Sequence, residues 1–354
     1  RQVEILKLPG LRKEANEAYA SRRLRVSVEQ IRSLRSALLL SAVQAFKPDV
    51  VLVDKHPFGA SGEFKDGLKA LRQQGGHAVL GLRDILDDPR QVFREWRAVQ
   101  HRIANYYEKV LIYGERWVYD AVSAYAFPQT LAGRTVFCGY VFSREDPQAL
   151  ENLDWPFLDR KTRTRPVVLG TAGGGEDGWR LLSTFIRSAA GAPWHGVAIA
   201  GPMTPDAELA SLEKLAAENH VTFRHYIPHL SALFASVDAL VCMGGYNTLV
   251  EAAALGVRTV CVPRVEPRIE QLMRGQAFER LGLLQLCHPA ELTPATLRTK
   301  IDTALHCSPA RPQRGGPSLL DFSGARNAAR WLLSLVTASE LACPAGEHAA
   351  LAAG

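Results

Sequence analysis

Strand–helix alternation along most of the chain predicts an α/β protein built from two successive open, mainly parallel sheets with a cleft between them. Three observations carry this expectation. Short apolar runs such as Val50-Val-Leu-Val-Asp54 and Pro166-Val-Val-Leu-Gly170 have the length and continuity of strands buried on both faces. Helical stretches follow the strands, the order that gives parallel sheets with helices on both faces. Between the two series, residues 143–165 hold five acidic residues, five basic residues and two prolines without any period, as in a connection between domains.

The elements follow in order. Residues 3–8 read as a first strand, and 11–46 as a long arginine-rich helix that Lys47-Pro48-Asp49 ends. Strand 50–54 and helix 63–74 come next, then strand 77–82, a helix over 89–104, strand 109–113 and a last strand at 135–141. The second series opens with strand 166–170 and a glycine turn (Gly173, Gly174, Gly175, Gly178) that leads into helix 179–190. Strand 196–200, helix 206–219, strand 221–223 and a short helix at 230–235 precede a strand that starts at Val237. Strand 258–262, helix 271–281, strand 284–287 and a late helix at 325–336 complete the series. The tail is rich in Ala and Gly and is expected to fray. The domain spans are therefore 1–145, a linker at 146–165, a second domain at 166–336 and a flexible tail at 337–354.

Composition narrows the class. A chain of 354 residues with 47% hydrophobic content is long enough for two ordinary domains. No run approaches the roughly 18 apolar residues of a membrane span, and no signal peptide precedes the first strand. The six cysteines (138, 242, 261, 287, 307, 343) show no CxxC or Cys/His metal spacing. Cys242 and Cys261 fall in apolar strands, where a thiol acts as a small hydrophobe. A reducing cytoplasmic setting is expected. The net charge of +6 is modest, and the arginines are dispersed without interleaved aromatics, so no nucleic-acid partner is expected. An anionic substrate, or peripheral contact with the anionic inner face of a membrane, suits the charge at least as well. Because the chain opens at Arg1 and enters an apparent strand at once, an N-terminal domain lacking its first segment is expected.

The most informative stretch is 237–256, an apolar strand, the Gly244–Gly245 pair, and a helix read as opening at Thr248 with Glu251 in its first turn. A glycine turn lets backbone approach a ligand closely. A helix N-terminus offers free N–H groups and a positive dipole end, which suit a diphosphate. A carboxylate beside it suits the vicinal hydroxyls of a ribose. The same residues also fit a capping box, with Thr248 and Glu251 satisfying each other's backbone donors.

With these elements in order, residues 166–286 resemble the nucleotide-sugar-binding domain of GT-B fold glycosyltransferases. The likeness is strongest to family 28, the group that includes the N-acetylglucosaminyltransferases of peptidoglycan synthesis. The matching residues are Met243 to Gly256, Val262-Pro263 and Glu270-Gln271. The resemblance implies two Rossmann-like domains, with Glu251 on the ribose and the Gly244, Gly245, Asn247 and Thr248 turn facing the diphosphate. It further implies that Glu270 and Gln271 reach the donor sugar, and that Ile227 frames the base within Tyr226-Ile227-Pro228. Asp54-Lys-His-Pro-Phe-Gly59, Gly81-Leu-Arg-Asp-Ile-Leu-Asp87 and Gly139-Tyr-Val141 look like a group of predicted bacterial glycosyltransferases. The glycine-rich first loop with its histidine, usual in such enzymes, is not found here.

On the acceptor side, His56 follows a strand and is a candidate base, since its pKa lies near working pH; a loop histidine touching Asp54 is the plainer role. Asp54, Arg83 and Asp84 also follow strands and either meet the acceptor or, for the last two, form an ordinary surface pair. Gly173, Gly174 and Gly175 are expected to close over phosphates or acceptor. Arg264, Arg268 and Arg274 flank the Glu270-Gln271 pair as candidate diphosphate partners or as solvated arginines. The function expected is a glycosyltransferase, inverting and metal-independent, without a cofactor. It uses a UDP-hexose or UDP-N-acetylhexosamine and a small-molecule, glycan or lipid-linked acceptor. A nucleotide-sugar epimerase of the same fold and a non-catalytic nucleotide-sugar-binding subunit are the alternatives.

Overall fold

The computed structural model describes residues 3–15, 18–21, 24–97, 99–143, 155, 161, 163–307 and 319–342. The linker expected at 146–165 lies mostly outside these residues, as does the tail beyond 342. Residues 3–10 form no strand. Instead β1 (Leu11–Ala15) and β2 (Ala18–Ser21) pair antiparallel in a separate hairpin. The expected long helix is therefore shorter, α1 (Val28–Phe46), and starts at a true capping box in which Ser27 and Gln30 exchange hydrogen bonds. Residues 11–15 are helix formers by type, and cross-strand pairing overrides that preference.

The first sheet has four parallel strands in the order β3 (Val50–Asp54), β4 (His77–Arg83), β5 (Lys109–Tyr113) and β6 (Thr135–Phe137). Helix α2 (Lys65–Gln73) crosses between β3 and β4. The helix expected at 89–104 is two pieces, α3 (Pro89–Trp96) and α4 (Gln100–Tyr106). The break lets Trp96 stack on Phe127 at 5.9 Å while the Gln100 amide donates to the Tyr125 carbonyl. Two short helices, α5 (Ala121–Ala124) and α6 (Gln129–Ala132), lead to β6, which ends at Phe137, four residues before the expected end.

The second sheet has six parallel strands in the order β12-β11-β10-β7-β8-β9. These are β7 (Val167–Thr171), β8 (His195–Ile199), β9 (Thr222–Arg224), β10 (Ala239–Cys242), β11 (Arg258–Cys261) and β12 (Gln285–Leu286). Between them run α7 (Trp179–Ala189), α8 (Asp206–Glu218), α9 (Tyr246–Leu255) and α10 (Glu270–Arg280), with a 3-10 turn at Leu230–Ala235. Helix α11 (Pro294–His306), which the sequence reading omitted, starts at a Thr293 cap and covers α7 and β11.

Helix α12 (Gly324–Ala342) is longer than expected and does not stay with the second sheet. Its Ala328, Leu332 and Leu335 pack on Val79, Leu111 and Cys138 of the first. The last helix thus completes the first domain, and the residues through 342 expected to fray are part of it.

Candidate functional site

The order of the second sheet places its ligand crevice. From β7 the chain moves to β8 and β9 on one side, and from β10 it moves to β11 and β12 on the other. Strands β7 and β10 are neighbours, with Cys242 opposite Thr171. Open α/β sheets bind ligands outside the carboxyl ends of their strands at such a reversal. Both glycine turns follow these two strands.

In the first turn Gly173 (φ +67°) and Gly175 (φ +96°) adopt backbone conformations that suit glycine. Gly173 and Gly174 are exposed, and a Cβ added to either meets nothing within 4 Å. Gly175 is packed against Thr204, so its lack of a side chain serves the fold. In the second turn Gly244 (φ +83°) lies over β11, where a Cβ would sit 2.8 Å from the Cys261 sulfur. That thiol is held well above the usual range by its hydrogen bond with Cys242 and by burial.

Gly245 is the N-cap of α9, and no side chain caps the helix. Helix α9 therefore opens at Tyr246, not at Thr248, and Glu251 stands on its second turn. The Thr248–Glu251 capping box is excluded, because a capping threonine must precede the first helical residue. Asn247 is exposed, Thr248 and Glu251 are half-buried, and Ile227 is buried in the core cluster that also holds Leu249 and Val250 of α9.

The loop from β11 to α10 adds a polar cluster. The Arg264 N–H donates to Gln271 Oε1 at 3.0 Å, and its guanidinium reaches Glu270 Oε1 at 2.9 Å and Asp177 at 3.0 Å. Burial works against the Arg264 charge, but the two carboxylates outweigh it and raise the pKa. Glu270 Oε2 and Arg264 Nε are buried without a hydrogen-bond partner, an uncommon state for buried polar atoms. Asp177, four residues beyond the first glycine of its turn, was not singled out from sequence.

Facing this crevice is the carboxyl end of the first sheet. A cavity of about 390 Å³ between the halves is lined by Asp54, Arg83 and Tyr113 on one side, Tyr246 and Asn247 on the other, and α12 at its wall. Arg83 lies over the Tyr246 ring, 5.7 Å from its centre. His56, expected as base, turns the chain after β3 and is not among the lining residues. Asp84 is neither an acceptor ligand nor half of a surface pair. It is buried and bound through both carboxylate oxygens by Arg274, which is 1% exposed. Arg274 also donates to the Gly244 carbonyl at 3.3 Å and to the Ile85 carbonyl at 3.1 Å. Burial opposes its charge, and Asp84 more than restores it. Asp87 adds a second tie, accepting from the Ile269 N–H at 2.9 Å and pairing with Arg268 at 3.3 Å. The sequence held one signal for Arg274, its spacing of three and four residues from Gln271 and Glu270 on one helix face.

Two parallel-sheet domains that face each other across a cleft, with the reversal of the second sheet at the cleft, define a GT-B fold. Solved glycosyltransferase structures share it. MurG of Acinetobacter baumannii aligns with a TM-score of 0.55 and 13% identity over 88% of this chain and 82% of its own. The calicheamicin glycosyltransferase CalG4 aligns with a TM-score of 0.57 and 18% identity over the same shares of the two chains. Residues 196–315 match the glycosyltransferase family 28 C-terminal domain. The UDP-N-acetylglucosamine--N-acetylmuramyl-(pentapeptide) pyrophosphoryl-undecaprenol N-acetylglucosamine transferase of Haemophilus influenzae (strain PittEE) is 24% identical over 249 residues, 68% of each chain. Its namesake from Streptomyces coelicolor is 28% identical over 139 residues, 38% of this chain and 37% of its own. The chain is a family 28-like glycosyltransferase that uses a nucleotide-sugar donor. Among the described residues no helix is long and apolar enough to cross a membrane.

Proposed function

We propose that the chain transfers a hexosyl or N-acetylhexosaminyl group from a UDP-sugar to an acceptor hydroxyl, with inversion and without a metal ion. The observation that carries this reading is the uncapped N-terminus of α9 behind Gly244 and Gly245, set at the reversal of the sheet and opening on the cleft. A diphosphate there meets free N–H groups and the positive end of the helix dipole. Negative charge grows on that diphosphate as the glycosidic bond breaks, so the same groups stabilise the transition state. Asn247 and Thr248 extend this cradle, Gly173 and Gly174 close over it from β7, Glu251 accepts from the ribose hydroxyls, and Ile227 backs the base. Glu270 and Gln271 face the donor sugar; the unpartnered Glu270 Oε2 supports a role as acceptor from a sugar hydroxyl.

The acceptor side is the wall formed by Asp54 and Arg83. The relatives' names specify a pyrophosphoryl-undecaprenol acceptor, which favours a lipid-linked hydroxyl presented at the inner membrane face over a free glycan or small molecule. Calorimetry with UDP, GDP and dTDP tests the donor. Micromolar binding confined to UDP, unchanged by EDTA, is expected. Equal binding of all three nucleotides removes the uridine assignment, and binding lost with EDTA removes metal independence.

A further inference from the structure

We infer that Asp54 is the general base that takes the proton from the attacking hydroxyl. This rests on the donor-site reading above. Asp54 is the last residue of β3, at the carboxyl end of the first sheet, and its side chain lines the cavity that Asn247 closes from the donor side. Register explains how it comes to face the cleft. Asp54 pairs with Gly81, and Arg83 two residues on pairs with Tyr113. Gly81 has no side chain, and a Cβ there would collide with the Tyr113 hydroxyl. Tyr113 therefore folds back over Gly81 toward Asp54, and the carboxylate and phenol share one patch of the cavity wall.

Elimination then singles out the carboxylate. The polar side chains that line the cavity are Asp54, Arg83, Tyr113, Tyr246 and Asn247. Arginine cannot give up its proton at working pH, and an amide is no base. Burial, with the Asp54 charge beside it, pushes the Tyr113 phenol up to about 12. Burial likewise raises Tyr246, whose hydroxyl already accepts from the Val141 N–H. Both phenols stay protonated at neutral pH. The other nearby acids are committed elsewhere, Asp84 to Arg274 and Asp87 to Arg268 and the Ile269 amide. Among the described residues the Asp54 carboxylate has no ion pair. In the reaction an Asp54 oxygen accepts the hydroxyl proton as the hydroxyl oxygen bonds to the anomeric carbon. The bond from that carbon to the diphosphate oxygen breaks, and its electron pair leaves with UDP.

Water serves as a probe acceptor, since it has the same O–H to surrender. The full chain is compared with Asp54→Asn, Asp54→Ala and His56→Ala for UDP release from UDP-N-acetylglucosamine and UDP-glucose, for UDP affinity by calorimetry, and for thermal midpoint. Both Asp54 variants are expected to keep the midpoint and the UDP affinity while release falls about 100-fold or more. Added formate should restore part of the rate to Asp54→Ala alone. Retained release in Asp54→Asn, or a fall matched by His56→Ala and rescued there instead, overturns the assignment. So does a wild-type chain that binds UDP yet leaves both donors intact. A wild-type chain that fails to bind UDP instead removes the donor-site reading on which the assignment rests.

Discussion

Glu251 stands one turn inside α9, so its carboxylate has no helix-capping duty to confuse with ligand binding. Replacement by Ala is expected to weaken UDP by about 1.5–3 kcal/mol, the worth of a charge-assisted hydrogen bond. Calorimetry on the folded variant checks this; unchanged affinity returns Glu251 to a structural role. Gly174 offers a complementary test. It is exposed, with open space where a Cβ would go. Gly174→Ala should therefore shift stability by no more than about 0.5 kcal/mol while weakening UDP, because the methyl occupies space that a phosphate needs. A loss of stability with affinity intact would mark the residue as a turn former only. At this scale the Gly244–Gly245 pair was legible as the turn between strand and helix, because glycine's freedom limits its uses, whereas the start of α9 and the turn that carries Glu251 were not. Nor was Asp84. Whether a carboxylate beside a strand meets solvent or a buried guanidinium depends on a residue 190 positions away.

Helix α10 links the two halves through a single buried arginine. Arg274 holds Asp84 on one side and the carbonyl of Gly244, in the turn before α9, on the other. Breaking such a pair leaves a buried charge without its partner and is expected to cost about 3–5 kcal/mol. Arg274→Met and Asp84→Leu should each lower the free energy of unfolding measured by denaturant titration by that amount. The double variant should recover much of the loss, since two apolar side chains need no counter-charge. Single losses that simply add would show that the pair is not energetically linked. Elements whose own sequence carries an apolar run or a helical period, such as β3, β4, α7 and α8, lie within a residue of their expected bounds. The hairpin β1–β2 was missed because its residues favour helix by type. Helix α11 was passed over although Thr293 and Pro294 mark its start as a cap and a first-turn proline.

The molecule is held together by more than its linker. Helix α12 returns from the second sheet to cover the first, burying Val79, Leu111 and Cys138. Truncation before Gly324 exposes these side chains, each worth roughly 1.5–3 kcal/mol when fully buried if large. The truncated chain is expected to lose solubility and to melt earlier in the first domain, while UDP binding by the second persists. Differential scanning calorimetry with and without UDP distinguishes the two; a truncated chain with an unaltered melting profile contradicts this role for α12. The domain order was legible from strand–helix alternation, but this return was not, because an amphipathic helix does not announce which sheet it will cover.

The path of α12 also decides how this chain can be recombined with another. The half built on the second sheet, residues 163–307, lies within the chain of the half built on the first, as a guest between two host segments. A hybrid made with one crossover would pair a host sheet with a foreign lid. Only an exchange with two junctions, one on each side of the guest, moves nucleotide recognition to a new acceptor scaffold while leaving that scaffold's own closing helix in place.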